Sequence, residues 1–240
     1  MGRNLIFDIE TVGEKFDAMD EVTQRELTKR ALHGVTAQED RDRIIAEVAD
    51  GLALSPLTGE IVALGLMDAD IGDGVVYYQS PGVDQSEIAE QGVRLIALSE
   101  EAMLRRFWDD IGDADALIGF NSRPFDAFWI MIRSAKYRIR AKADLLSGRY
   151  LYQQKRRPIH IDLLDQLTGY GATRTRGSLH MWCRLAGIKS PKGGEVSGNT
   201  VGEAFALQKF LKIAQYNIDD LVAQRELYLW WRDYINHQQM

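Results

Sequence analysis

The 240-residue sequence contains a single cysteine, Cys183, and no hydrophobic run that approaches the length of a membrane span. One cysteine cannot form a disulfide within the chain, and it cannot build a cysteine-based zinc site. A membrane helix needs about 18 or more consecutive apolar residues, so no such helix is predicted. The first residues lack the basic and apolar pattern of an export signal. We therefore expect a cytoplasmic protein in which Cys183 is a small buried hydrophobic residue.

The composition is ordinary for a globular protein, with 45% hydrophobic and 27% charged residues. A disordered or fibrous chain is therefore not expected. The length suits one large α/β domain, and we predict a single domain over residues 1–240 with a helical insertion at about 14–53. A Thr36-x-x-Glu39 capping box is predicted to open the second helix of that insertion.

Charge is unevenly distributed along the chain, although the formal net charge is −6. Residues 123–192 contain 15 lysines and arginines against 4 acidic residues, and the remainder of the chain is strongly acidic. A basic segment in an acidic chain is typical of a surface that binds phosphate groups. The alternative is a solvated helix face, because several of these basic residues fall on or just after one helix. They are Arg133, Lys136, Arg138, Arg140 and Lys142.

Hydrophobic periodicity predicts an α/β chain with a mixed sheet. Strands are predicted at 4–10, 60–68, 74–78, 116–120 and 159–162, with the second and third forming a hairpin. Helices are predicted at 99–111 with Ser99 as N-cap, at 125–135 just after Pro124, and at 208–235 as one helix or two. A Thr200-x-x-Glu203 capping box is predicted before the last of these. The order of strands and helices indicates a β-α-β progression.

Asp8 and Glu10 follow the apolar residues 5–7 of the first predicted strand. Side chains alternate between the two faces of a strand, so both carboxylates project to the same side. Like charges at that distance repel one another unless a cation lies between them, and carboxylates are the ligands that hard divalent cations prefer. The pair therefore predicts a metal site, with a solvated strand end as the alternative.

Two further groups of polar residues occur at places where a site could form. Asn121 and Asp126 lie between a buried strand and the following helix, where ligands collect in open α/β sheets. Asp126 could instead interact only with the helix dipole. Tyr216 and Asp220 are four residues apart, so they share one helical face, and Asp219 is an alternative to Asp220.

Taken together, these motifs resemble the DEDD superfamily of 3′→5′ exonucleases in its tyrosine-containing branch. The motifs are residues 7–11, Asn121 with residues 125–126, and Tyr216-x-x-x-Asp220. The chain is most similar to stand-alone bacterial relatives of the proofreading exonuclease domain of family B DNA polymerases. The resemblance extends to residues 160–165 and 169–188, and it leaves out residues 14–53. It implies an RNase H-like α/β fold with a mixed sheet and flanking helices.

The resemblance also implies catalytic roles for five residues and a requirement for two divalent ions, Mg²⁺ or Mn²⁺. Asp8 would bridge both ions, Glu10 and Asp220 would complete one site, and Asp126 would hold the other, largely through water. Such ions stabilise both the entering and the leaving oxygen of a displacement at phosphorus. Tyr216 would orient the attacking water. A phenol has an ordinary pKa near 10, so Tyr216 suits hydrogen bonding better than proton abstraction.

Other residues are candidates for contacts with substrate or for support of the acidic residues. The substrate candidates are Thr11, Asn121, Phe125, Arg174, Arg176, Lys189 and Lys192, with Phe125, Tyr170 and Trp182 as candidates for stacking on bases. The supporting candidates are His160, Asp162 and Asp219. Asp162 could instead be the N-cap of a helix. His160 lies too far upstream of the last motif to replace Tyr216.

These observations predict an enzyme that releases nucleotides from the 3′ end of single-stranded DNA or RNA, with DNA slightly favoured. No residue was found that would report a 2′-hydroxyl. Two alternatives keep the same fold. One is a catalytically inactive adaptor that binds nucleic acid, and the other is a detached proofreading or repair subunit whose partner binds the insertion at 14–53.

Overall fold

The computed structural model describes residues 2–82, 88–90, 92–173, 175–190 and 196–237. Within these residues it contains one seven-stranded mixed sheet with the strand order β4-β5-β3-β2-β1-β6-β7. The strands are β1 (Arg3–Gly13), β2 (Gly59–Asp68), β3 (Gly74–Tyr78), β4 (Ile88–Glu90), β5 (Val93–Ala97), β6 (Ala114–Gly119) and β7 (Ile159–Asp162). The helices are α1 (Glu21–Thr28), α2 (Gln38–Gly51), α3 (Glu100–Asp110), α4 (Asp126–Lys136), α5 (Leu163–Leu167), α6 (Leu179–Ala186), α7 (Val201–Ala206) and α8 (Phe210–Tyr234).

Strand β1 lies near the centre of the sheet and pairs antiparallel with β2 and parallel with β6. Strand β7 continues the parallel part beyond β6, whereas β2 and β3 form the predicted hairpin. Parallel neighbours bring their carboxyl ends to one edge, so the segments that follow β6 and β7 lie beside the second half of β1.

The sheet is covered on both faces, and alternation along β1 decides which side chains face which layer. Leu5, Phe7 and Ile9 belong to the core beneath α3 and α4. Ile6 belongs to the opposite core, which contains Ile218 and Leu221 of α8. Because Asp8 and Glu10 have the same parity as Ile6, they project toward α8.

The five predicted strands are confirmed, with shifts of one to three residues at half of their ends, whereas β4 and β5 were not predicted. Ser99 does accept a hydrogen bond from Ala102 N. Two predicted capping boxes need correction. The capping box Thr36-x-x-Glu39 is wrong, because α2 begins at Gln38 with Ala37 as its N-cap and has no side-chain cap. Thr200 is the N-cap of α7, but its backbone is not extended, and its hydroxyl accepts a hydrogen bond from Ser197 N instead of capping the helix.

The helical region at 208–235 is one helix, α8, and α4 begins at Asp126, one residue later than predicted. Helix α8 is separated from α7 by Gln208, whose φ of 57° interrupts the helical backbone. Pro124 consequently lies in the turn before α4 and not within its first turn.

No helix in the described ranges is both long and apolar enough to cross a membrane.

A buried ion pair joins the elements on the α3 and α4 face of the sheet. Arg133 and Glu100 are only 3% and 2% exposed, and Arg133 Nη2 lies 2.6 Å from Glu100 Oε2. Glu100 also accepts hydrogen bonds from Ile61 N and from the Tyr137 hydroxyl, at 2.8 and 2.7 Å. Every charge in this group is therefore hydrogen-bonded, which offsets the cost of removing it from water.

We expect Arg133→Met to lower the free energy of unfolding by about 3–5 kcal/mol, because Glu100 would remain buried without its cation. Urea unfolding followed by circular dichroism measures this change. Arg105→Met is the matched control, since Arg105 pairs with Glu101 on the exposed side of α3. The control should cost less than about 1 kcal/mol, and equal losses in the two variants would contradict the role assigned to the buried pair.

Candidate metal centre

Three carboxylates meet where β1 faces α8. One carboxylate oxygen from each of Asp8, Glu10 and Asp220 lies within 4.8 Å of the others. Glu10 and Asp220 are 7% and 9% exposed, and Asp8 is half-buried. Strand alternation places the first two on one face, and the packing of α8 brings the third against them. This is the only cluster of three or more potential metal ligands among the residues that the structure describes.

Helix α8 also supplies two amides that hold Asp8 in place. Asn217 Nδ2 donates to Asp8 Oδ2 at 2.9 Å, and Gln224 Nε2 donates to Asp8 Oδ1 at 2.6 Å. Gln224 Oε1 in turn accepts a hydrogen bond from Phe120 N just after β6, at 3.0 Å. Both carboxylate oxygens of Asp8 are therefore oriented by the same helix that carries Asp220.

Sequence reasoning missed Asn217 and Gln224, although their spacing contains a signal. They lie three residues before and four residues after Asp220, which places all three on one helical face. Gly65, opposite Asp8 on β2, leaves the space that this face requires. A Cβ at residue 65 would overlap Asn217 Oδ1 and the Leu221 side chain.

Asp126 lies beside the cluster and is not one of its three mutually close carboxylates. Asp126 is 5% exposed and is the first residue of α4. Its Oδ1 accepts a hydrogen bond from Ile9 N at 3.0 Å. Its charge is near enough to raise the pKa of both Asp8 and Glu10. The structure thus brings all four predicted acids to one region, with three in direct proximity.

Tyr216 lies next to Asp220 and forms a hydrogen bond with it. Both residues line a cleft of about 220 Å³ together with Asp8 and Gln224. Burial, followed by the nearby charges of Asp220 and Glu10, raises the pKa of the Tyr216 phenol above its usual range. Asp219, the alternative to Asp220, is exposed and does not line this cleft.

The acids carry more negative charge than the protein neutralises locally. Burial raises the pKa of Asp8 and Glu10 well above the usual range, and the neighbouring carboxylates add to this effect. Burial likewise raises the pKa of Asp126 to about 8. The buried Asn217 Oδ1 has no hydrogen-bond partner. Oxygen ligands, excess negative charge and an unpaired carbonyl oxygen fit a hard divalent cation.

Asp162 and His160 support the loop between β6 and α4. Asp162 accepts hydrogen bonds from Leu164 N as the N-cap of α5, and from Asn121 N and Arg123 N at 2.9 and 3.0 Å. His160 is buried, with Nδ1 donating to Leu145 O and Nε2 accepting from the Ser122 hydroxyl. Burial lowers the pKa of His160 to about 4, which favours the neutral imidazole in these two bonds.

The predicted substrate residues are scattered, and two of them, Arg174 and Lys192, lie outside the described residues. Thr11 is buried and donates to Ala53 O, so its hydroxyl is used within the fold. Asn121 has a φ of 57°, and its backbone N–H donates to Asp162. Phe125 is partly buried, with its ring 5.8 Å from that of Trp129. Arg176 and Lys189 are exposed.

Two residues in and near α6 have mainly structural roles. Trp182 packs partly against the core and donates from Nε1 to Arg176 O at 2.9 Å. Cys183 is fully buried, and burial raises the pKa of its thiol to about 11, which suits the predicted inert hydrophobic residue.

Comparison with solved structures identifies the class of fold. The chain is similar to the family B DNA polymerase from the hyperthermophilic archaeon Pyrobaculum calidifontis, with a TM-score of 0.59 and 16% sequence identity. The similarity covers 97% of this chain and 25% of the polymerase chain, so this chain spans about a quarter of that protein's length. The mixed sheet with flanking helices is the RNase H-like α/β fold that the sequence predicts, and that prediction is confirmed.

Comparison with family models goes one step further. Residues 79–238 match the family described as a predicted 3′-5′ exonuclease related to the exonuclease domain of PolB. This span is two thirds of the chain and includes Asp126, Tyr216 and Asp220, so the chain belongs to that family. No curated protein matches the sequence significantly.

We expect the metal-free protein to lose stability as the pH rises from about 4.5 to 8 because of the acids at this site. An acid whose pKa is raised by folding binds its proton more tightly in the folded state, so its ionisation at higher pH favours unfolding. Asp126→Asn should reduce this loss by at least about 1 kcal/mol. Urea unfolding in EDTA at both pH values measures it.

Asp17→Asn is the control for this experiment, because Asp17 is exposed and is not part of the acidic cluster. The control should show the same dependence on pH as the unmodified protein. A dependence on pH that Asp126→Asn leaves unchanged would contradict the assignment of the effect to Asp126.

Proposed function

We propose that this chain is a metal-dependent 3′→5′ exonuclease that removes nucleotides from the 3′ end of single-stranded nucleic acid, with DNA slightly favoured over RNA. The observation that carries the proposal is the cluster of Asp8, Glu10 and Asp220 within 4.8 Å, beside Tyr216 in an open cleft. Membership of a family of predicted 3′-5′ exonucleases supports the polarity of the reaction.

Asp8, Glu10 and Asp220 would hold one divalent ion, Mg²⁺ or Mn²⁺. Asp8 would share a second ion with Asp126, which lies next to the cluster and would act largely through water. When bound, the ions would stabilise the charge on the oxygens that enter and leave during displacement at phosphorus. The raised pKa values of Asp8 and Glu10 support this assignment, since they arise from burial and from repulsion between the carboxylates, and a bound cation offsets both.

Tyr216 acts as a hydrogen-bond donor in this proposal. Its raised pKa keeps the phenol protonated at neutral pH, so it cannot accept a proton from water as a base. It lines the same cleft as Asp8 and Asp220, where it can hold a water molecule or a phosphate oxygen in position. Correct placement of the reacting groups is itself a large part of catalysis.

Asn217 and Gln224 position Asp8 for this reaction. Each amide occupies one carboxylate oxygen, so the carboxylate cannot rotate freely. Gln224 also accepts a hydrogen bond from Phe120 N, just after β6. It therefore links the carboxyl end of β6 to Asp8. Hydrogen bonds of this kind from residues around a metal ligand orient it and tune its affinity.

We expect stepwise shortening of 5′-labelled single-stranded oligonucleotides in the presence of Mg²⁺ or Mn²⁺. EDTA, Asp8→Ala and Asp220→Ala should each abolish it, because they remove the ions or their ligands. Gel electrophoresis of 5′- and 3′-labelled DNA and RNA measures the polarity and the sugar preference. Asp219→Ala is the control, since Asp219 is the exposed neighbour of Asp220, and it should retain activity.

Degradation that persists in EDTA would contradict this proposal. Binding of the oligonucleotides without any shortening would contradict it as well, and would favour an adaptor that binds nucleic acid without cleaving it.

We expect Tyr216→Phe to lower kcat by about 10- to 100-fold while leaving Mn²⁺ affinity nearly unchanged, because the phenol orients reactants without being a metal ligand. Single-turnover kinetics and calorimetric titration of Mn²⁺ measure the two effects separately. A large fall in Mn²⁺ affinity would show that the role assigned to the phenol is wrong.

A further inference from the structure

Residues 149–157 combine exposed aromatic and basic side chains in one short segment. Tyr150 and Tyr152 are 37% and 75% exposed, and their rings stack at a centroid distance of 5.7 Å with an interplanar angle of 21°. Tyr170 lies beside this pair, with its ring 4.5 Å from that of Tyr150 and tilted by 52°. The informative feature is that two exposed rings are stacked side by side, which forms a contiguous flat aromatic patch.

A basic groove begins next to these rings. It is lined by Gln153 and Gln154 and by the basic residues Arg140, Lys142, Lys155, Arg156 and Arg157. Lys142 pairs with Asp109, and Arg157 pairs with Asp115. Arg140, Lys155 and Arg156 take part in none of the ion pairs found in the described part of the chain. The groove also contains one acid, Asp144, so the basic residues outnumber the acids, and this balance favours a polyanionic ligand.

The stack is connected to the metal centre through a short chain of contacts. Arg123, which follows Asn121 at the end of β6, donates from its backbone to Asp162 and lies 3.7 Å from Asp165 through Nε. Asp165 also pairs with Arg149 at 2.6 Å, and Arg149 directly precedes Tyr150. These contacts place Arg149 and Tyr150 beside the loop that follows β6 and leads into Asp126.

We propose a binding surface for the single strand upstream of the 3′ end that occupies the metal centre. The surface consists of the stacked Tyr150 and Tyr152, the neighbouring Tyr170 and the adjoining basic groove. Bases stack on Tyr152 and Tyr150, and Arg140, Lys155 and Arg156 contact the phosphates that follow. The combination of stacked aromatic rings with a cationic groove suits single-stranded nucleic acid independently of its sequence. This inference rests on the proposed nuclease function, which places the 3′ end of the strand at the metal centre and so sets the direction in which the strand runs.

The test measures binding separately from hydrolysis. A 5′-fluorescein-labelled oligomer of fifteen thymidines is titrated with the full-length protein in EDTA, and anisotropy gives the Kd at several salt concentrations. We expect Tyr152→Ala to weaken binding by about fivefold or more with an unchanged dependence on salt. The double variant Lys155→Ala, Arg156→Ala should weaken binding and lower the slope of log Kd against log salt concentration by about 1.4, as expected for the loss of two phosphate contacts.

The chain offers matched controls on other surfaces. Tyr234 is 77% exposed at the end of α8, so Tyr234→Ala removes an equally exposed tyrosine. Lys29→Ala with Arg30→Ala removes two exposed cations from the segment between β1 and β2. Neither control should change the affinity by more than about twofold. Equal losses in the control and test variants would overturn the proposal, and so would full affinity in both test variants.

Hydrolysis of a p-nitrophenyl ester of thymidine monophosphate with Mn²⁺ separates this proposal from the nuclease function. This small substrate cannot extend to Tyr152, so the test variants should cleave it at the unmodified rate while they degrade the long oligomer more slowly. If the unmodified protein cleaves neither substrate but Tyr152→Ala still weakens binding of the oligomer, the nuclease function fails and the binding surface stands. A slower rate of ester cleavage in Tyr152→Ala would place its effect at the metal centre and overturn the proposal.

Discussion

Repulsion among buried carboxylates is the constraint on which the arrangement of this protein depends. Asp8 and Glu10 share one face of a central strand, and α8 brings Asp220 within 4.8 Å of them. Such a cluster costs free energy in the metal-free protein, as the raised pKa values of Asp8, Glu10 and Asp126 show. The fold must therefore hold these groups together by packing elsewhere, chiefly through the apolar contacts of α8 with the sheet.

The polar groups around the cluster fall into two sets with different tasks. Asn217 and Gln224 touch Asp8 directly and fix the orientation of its carboxylate. Asp162 and His160 work at a greater distance, where they hold the backbone between β6 and α4 through Asn121, Arg123 and Ser122. The loop that leads into Asp126 is thus fixed from the side of β7, whereas Asp8 is fixed from the side of α8.

Basic residues in the segment 123–192 do not form one uniform surface. Arg133 is buried and neutralises Glu100, so it belongs to the core and not to a phosphate-binding face. Arg149 and Arg123 lie at Asp165, and Arg140, Lys155 and Arg156 remain for an external ligand. The excess of positive charge in the sequence therefore has at least two origins. Some basic residues pair with buried acids, and others take part in none of the ion pairs in the described part of the chain.

The sequence by itself determined five of the seven strands and most of the helices, because period-two alternation and helical spacing act locally, whereas β4 and β5 were not predicted. It also determined that Asp8 and Glu10 share a face, since positions two residues apart on a strand project to the same side. Two capping boxes failed because a cap depends on the backbone conformation of Thr36 and Thr200, which the surrounding chain sets. Only the tertiary structure decided that Asn217 and Gln224 hold Asp8 and that Tyr150 and Tyr152 stack beside a basic groove. These contacts join residues that are far apart in the sequence or depend on how α8 and the segment at 149–157 pack, and local periodicity contains no information about such distances.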